Sequence, residues 1–99
     1  MKLCKVIGKA SSSIKHPGLE GLKLLVVQAV DNKGGGTGSM ILAVDTIGAG
    51  AGEVVAVVRG AAAVRNIGKG DIPCDAAVVA IMDHVYVNEK EIYSKHKEA

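Results

Sequence analysis

Hydrophobic and polar positions alternate along this chain in short blocks cut by glycine-rich breakers. Residues 1–10 set Leu3, Val6 and Ile7 among lysines and predict a short strand. Residues 11–18 are polar and end in Pro17-Gly18, which marks a turn. Residues 22–31 (LKLLVVQAVD) and 40–47 (MILAVDTI) predict two further strands. The segment between them, 32–39, contains Gly34-Gly35-Gly36 and reads as a flexible connection. After the break at 48–53, Val54–Arg59 is apolar at successive positions, so both faces of that strand are expected to be buried. The alanine-rich stretch 60–67 suits two helical turns, and 68–73 a loop. Residues 76–87 form the longest strand candidate. A turn at 88–91, a short strand at Ile92-Tyr93 and a polar tail over 94–99 complete the chain.

This pattern is mainly β, with five or six strands, one short helix and no strand–helix alternation. It fits a small β-barrel or sandwich. The 99 residues read as a single domain, 1–99, with no internal repeat. Composition sharpens the picture. There are 14 Val, 13 Ala, 8 Ile and 6 Leu, but no Phe, no Trp and two Tyr. The core must therefore consist of many small aliphatic contacts. A domain this small exposes much of its surface, so the apolar runs raise the expectation that copies cover one another.

Charge and breakers exclude other classes. The net charge of +2 is too small to imply nucleic acid or an anionic membrane. No apolar run approaches the ~20 residues of a spanning helix. The N-terminus lacks the apolar centre of a signal peptide. Cys4 and Cys74 do not make a disulfide scaffold, and reduced thiols are the expectation.

The run Gly48-Ala49-Gly50-Ala51-Gly52 is the most conspicuous motif. As a phosphate cradle it fails, because the third glycine comes one residue early and a strand comes next instead of a helix. A tight bend or a close backbone approach is the better reading. Cys74 with His16, His84 or His96 could form a nucleophile and base only if folding brought them together. The spacing of Cys and His does not suit a metal. Asp45, Asp75 and Asp83 are embedded in, or open, apolar strands, with Asp83 on one alternating face with Val79, Ile81, Val85 and Val87. They are expected to bind backbone N–H groups or an arginine rather than to act as acid and base. An OB-like barrel binding nucleic acid or a small ligand is the alternative, but such barrels use stacking aromatics that are scarce here.

Taken in order, the motifs resemble those of the vertex-protein family of bacterial microcompartment shells. Leu22-Lys23-Leu24-Leu25-Val26-Val27 is similar to one family strand, and Asp75-Ala76-Ala77-Val78-Val79-Ala80-Ile81-Met82-Asp83 to another. The run from Ala43 through Asp45 to Gly48-Ala49-Gly50-Ala51-Gly52-Glu53 resembles the family's most specific signature. The chain departs from the family after Gly60, where Ala61-Ala62-Ala63 replaces serines and Arg65 comes one place late. The resemblance implies an OB-like barrel and a homopentamer at fivefold corners of a shell of hexameric shell proteins. It implies a cytoplasmic location within that shell, and no catalysis, cofactor, metal, nucleic acid or membrane. Gly48, Ala49, Gly50, Gly52 and Glu53 would lie near the fivefold axis or a subunit contact, and Arg65 and Asp75 would make polar contacts between subunits or to hexamers. Ile92-Tyr93 would add to a neighbour's sheet.

Overall fold

The β-branched runs form the strands, because branched side chains pack well on a pleated surface. The computed structural model describes residues 1–68 and 73–95. Five strands close a barrel: β1 (Lys2–Ala10), β2 (Lys23–Val30), β3 (Gly36–Asp45), β4 (Val54–Arg59) and β5 (Ala76–Ile81). Their order is β1-β2-β3-β5-β4. Neighbours are antiparallel except β3 and β5, which run parallel. A parallel pair needs a crossover, and the chain makes it through β4 and the helix α1 (Ala61–Ile67). The fold is thus mainly β with one short α-helix, as the pattern predicts, and of the two architectures the pattern fits, barrel and sandwich, it is the barrel. Two more strands, β6 (His84–Val87) and β7 (Lys90–Ser94), form a separate hairpin. Among the described residues no helix is long and apolar enough to cross a membrane.

The barrel core is built from small side chains, including Cys4, Val6, Leu25, Val27, Val55, Val57 and Val78. A second buried layer lies outside it. Val44, Ala56 and Ala77 alternate with core positions yet are fully or nearly fully buried. Helix α1 packs on β4 and β5 with Ala63 as its buried residue. Gly60 caps the helix at positive φ, and Gly68 ends it in the left-handed conformation.

Four expectations require correction. The strand at 76–87 breaks at Met82 and Asp83. Met82 N donates to Val54 O at 2.9 Å and Lys95 N to Asp83 O at 2.8 Å, so backbone bonds fix the break. Asp83 is consequently exposed, not part of an apolar face. The third strand starts at Gly36 rather than in a glycine-rich loop. Asp31 Oδ1 accepts from the N–H groups of Lys33 and Gly35, both at 2.9 Å, and this tight turn brings Gly36 opposite Val30. The same strand ends at Asp45, before Ile47. Finally, the last turn is only Asn88-Glu89, both at positive φ as a two-residue hairpin requires, so Ser94 belongs to β7 rather than to a tail. Ile92 and Tyr93 lie in β7, which pairs with β6 of the same chain. Residues 69–72 of the expected loop and 96–99 of the tail, including His96, lie outside the described residues.

Candidate functional site

The glycine-rich signature is organised by one carboxylate. Asp45 ends β3 with its side chain turned inward and buried. Its Oδ1 accepts from Ile47 N at 3.0 Å and Gly48 N at 3.1 Å, and its Oδ2 from Ala49 N at 2.9 Å. Lys23, its cross-strand partner, sets Nζ 3.3 Å from Oδ2. The same ammonium donates to Ala49 O at 3.3 Å. A buried carboxylate is costly unless such partners surround it. The result is a loop folded back over the barrel end, with the Ala49 methyl inserted into the core.

The small residues of this loop now separate by cause. Gly48 and Gly52 have φ of +88° and +85°, where a side chain is strained. Ala49 is a core plug. Gly50 has neither reason, since a Cβ there meets nothing nearer than Glu53 Oε1 at 3.5 Å. Glu53 accepts from Gly50 N through Oε1 and pairs with Lys95 through Oε2 at 3.3 Å. Two backbone bonds, Gly52 N to Val6 O (2.8 Å) and Val6 N to Glu53 O (2.9 Å), stitch the loop to β1. Gly48, Gly50, Ala51 and Gly52 remain exposed.

Arg65 and Asp75 are also exposed. The partner of Asp75 is Arg59, at 4.0 Å, rather than Arg65. Arg59 escaped the sequence reading, although it is the last residue of the most apolar strand and its register partner Ala76 adjoins Asp75. Asp45 and Asp75 thus do bind backbone N–H groups and an arginine, as expected of them. The nucleophile candidates do not assemble. Cys4 is buried, and burial pushes its thiol up from the ordinary range. Cys74 Sγ reaches the Ala76 carbonyl at 3.7 Å. His16 Nδ1 accepts from Gly18 N at 2.8 Å. His84 Nδ1 lies 3.2 Å from Glu91 Oε2. Among the described residues no cluster of His, Cys, Asp and Glu could hold a metal.

What the molecule does present is surface. Met40, Leu42, Ile7, Ile47 and Tyr86 are large apolar side chains left exposed. Charge and motif reading missed Met40, Leu42 and Ile7. For Met40 and Leu42 the signal was present, because residues 40–44 are apolar at every position.

Residues 1–83 match the family described as ethanolamine utilisation protein EutN/carboxysome. The carboxysome shell vertex protein CcmL of Synechocystis is 45% identical over 95 residues, which covers 96% of this chain and 95% of that protein. The bacterial microcompartment shell vertex protein EutN of Salmonella typhimurium is 38% identical, with 96% of each chain covered. The solved structure of Gloeobacter violaceus CcmL superposes with a TM-score of 0.88 at 37% identity, covering 98% of this chain and all of that one. The GrpN pentameric microcompartment shell protein from Rhodospirillum rubrum superposes at 0.76 with 44% identity, covering 88% and 98%.

Proposed function

The chain belongs to the ethanolamine utilisation protein EutN/carboxysome family, and from that premise we propose that it is a structural, non-catalytic shell protein of a bacterial microcompartment in the cytoplasm. It forms a homopentamer that caps the fivefold corners of the shell and meets hexameric shell proteins along its edges. The observation that carries this reading is the near full-length match, in sequence and in fold, to relatives named as shell vertex proteins. A ring of identical subunits needs head-to-tail contacts between two different surfaces, and a 99-residue chain with several large apolar side chains exposed has surface to supply them. Native mass spectrometry tests the reading. A mass near five times 10.1 kDa is expected, and a stable monomer at micromolar concentration overturns it.

Within that assembly the loop from Gly48 to Glu53 is assigned to the fivefold axis or the adjoining subunit contact. Gly50 gives the clean test, because Ala49 is a core residue whose enlargement would disturb the protomer itself. Gly50→Leu should leave the protomer folded and impair the pentamer; an intact pentamer would place the loop elsewhere. Arg65 and Asp75 are assigned to polar contacts between subunits or with hexamers. The exposed pair Asp75–Arg59 holds Asp75 only weakly, which leaves it available to a partner. Arg65→Glu should weaken pentamer formation or co-assembly with hexamers, and unaffected assembly in both would remove Arg65 from the contact.

A further inference from the structure

A bulge in β1 aims a lysine at the barrel mouth. Cys4 and Val6 point into the barrel, so strict alternation would send Gly8 inward and Lys9 outward. The register with β2 slips between Val6 and Gly8, which sets Gly8 opposite Val26 and Lys9 opposite Leu25. Paired residues share a face of the sheet, and Leu25 is in the core. The extra residue therefore reverses the alternation and turns Lys9 to the inner face at the end of β1. Lys23 shares that face, since it stands two residues before Leu25 on β2. Lys9 and Lys23 are thus diagonal neighbours, within reach of one bridging group.

Both lysines line a cavity of about 470 Å³. Its apolar wall is Val6, Leu25 and Ala49, all core residues. Gly50 and Ala51, on the loop over the barrel end, carry too little side chain to fill it. A concave apolar space with a few convergent polar groups is the usual form of a small-molecule site. The charges around it do not cancel. Asp45 is engaged by Lys23 and three backbone N–H groups, and Glu53 by Gly50 N and Lys95. Lys15, in the adjoining cleft, donates to Ser12 O and pairs with Glu20. Lys9 is exposed and makes no ion pair among the described residues. Lys23 sets two of its three donors on Asp45 Oδ2 and Ala49 O, which leaves one.

We propose that the barrel mouth is a binding site for a small monocarboxylate with a short apolar tail. The carboxylate bridges the Lys9 and Lys23 ammonium groups through charge-assisted hydrogen bonds, and the tail lies on Val6, Leu25 and Ala49. The two halves of the ligand follow from the two halves of the site. An inorganic anion leaves the apolar wall uncovered, and a neutral hydrocarbon leaves Lys9 without a partner. All the lining groups belong to one chain, so the inference does not rest on the pentameric reading.

The test titrates the whole chain, methyl-labelled and in its native assembly, with sodium hexanoate under NMR. The methyl signals of Val6, Leu25, Ala49 and Ala51 should shift together and saturate, with a dissociation constant of about 1 mM. Two probes divide the ligand: 1-hexanol keeps the tail without the charge, and sodium sulfate keeps charge without the tail. Each should bind at least about tenfold more weakly than hexanoate. Lys9→Gln should weaken hexanoate by at least about tenfold, and Lys9→Arg should restore it. Lys9 is exposed, so both variants should fold. Methyl signals that do not shift saturably with hexanoate overturn the inference. So does hexanol or sulfate binding as tightly as hexanoate, or a Lys9→Gln variant that binds hexanoate like the wild type.

Discussion

Strands β4–β5 and strands β2–β3 are apolar on both faces, yet the chain seals the outer face of the first pair and, on β3, only the end at Val44. Over β4 and β5 lies α1, and the outward-facing Ala56 and Ala77 are as buried as the core. Over β2 and β3 the outward-facing Met40 and Leu42 meet solvent. The same sequence pattern therefore has two outcomes. A strand apolar on both faces does not say, by its pattern, whether its own chain covers both of them. The difference lies in the segment that leaves each strand. After β4 comes Gly60 and a helix-favouring alanine run, whereas β2 and β3 are joined by a tight turn on Asp31 that leaves no residues to cover them.

The sharpest way to break this comparison is to put the same charge on both outer faces. Ala77→Asp buries a carboxylate under α1 with no partner provided, and should cost the protomer about 4 kcal/mol, read by denaturant unfolding. Leu42→Asp places its charge in water. It should change protomer stability by no more than about 0.5 kcal/mol while removing the pentamer. If the two variants unfold alike, the faces are not differently covered and the contrast is wrong.

The barrel end sharpens the comparison, because there the chain seals itself with a loop instead of a helix. Asp45→Ala deletes the acceptor of three backbone N–H groups and the ion-pair partner of Lys23. The expected loss is about 3 kcal/mol, with fast hydrogen exchange confined first to the loop after β3. Equal protection in wild type and variant would mean that Asp45 does not hold the plug.

Much of the fold is legible in the sequence, and the gaps have physical causes. The five barrel strands and α1 follow from β-branched runs and breakers, to within a few residues. The break at Met82-Asp83 does not, because it is made by backbone bonds to Val54 and Lys95 that no local pattern encodes. Gly36 has the composition of a loop; its pairing with Val30 is dictated by the Asp31 turn. The glycine-rich loop is recognisable as a motif, but the division of labour inside it depends on φ angles and burial. Ala49 and Gly50 look equivalent in sequence, and only the fold shows that one is core and the other surface. Asp75 is expected to meet an unspecified arginine, and sequence distance hides that β4 and β5 bring Arg59 to it.

The smallest expected effect is in pH, and it tests the uncovered side of the comparison through the hairpin. The Tyr86 hydroxyl donates to Glu91, so ionising it sets a phenolate against a carboxylate. Its pKa is accordingly raised from 10.0, through the hydrogen bond first and the negative charge second. A group whose pKa is raised on folding contributes stability that is fully present below its unfolded pKa and is lost as pH rises through the folded value. In the free protomer the effect is slight, because Tyr86 is solvent-screened. If Tyr86 lies in a subunit contact, the same ionisation occurs where desolvation disfavours the phenolate further. The pentamer should then be constant from neutral pH to about pH 10 and dissociate above it, as followed by light scattering. Adding Tyr86→Phe should flatten the alkaline limb. Identical alkaline profiles with and without the hydroxyl would take Tyr86 out of the subunit contact.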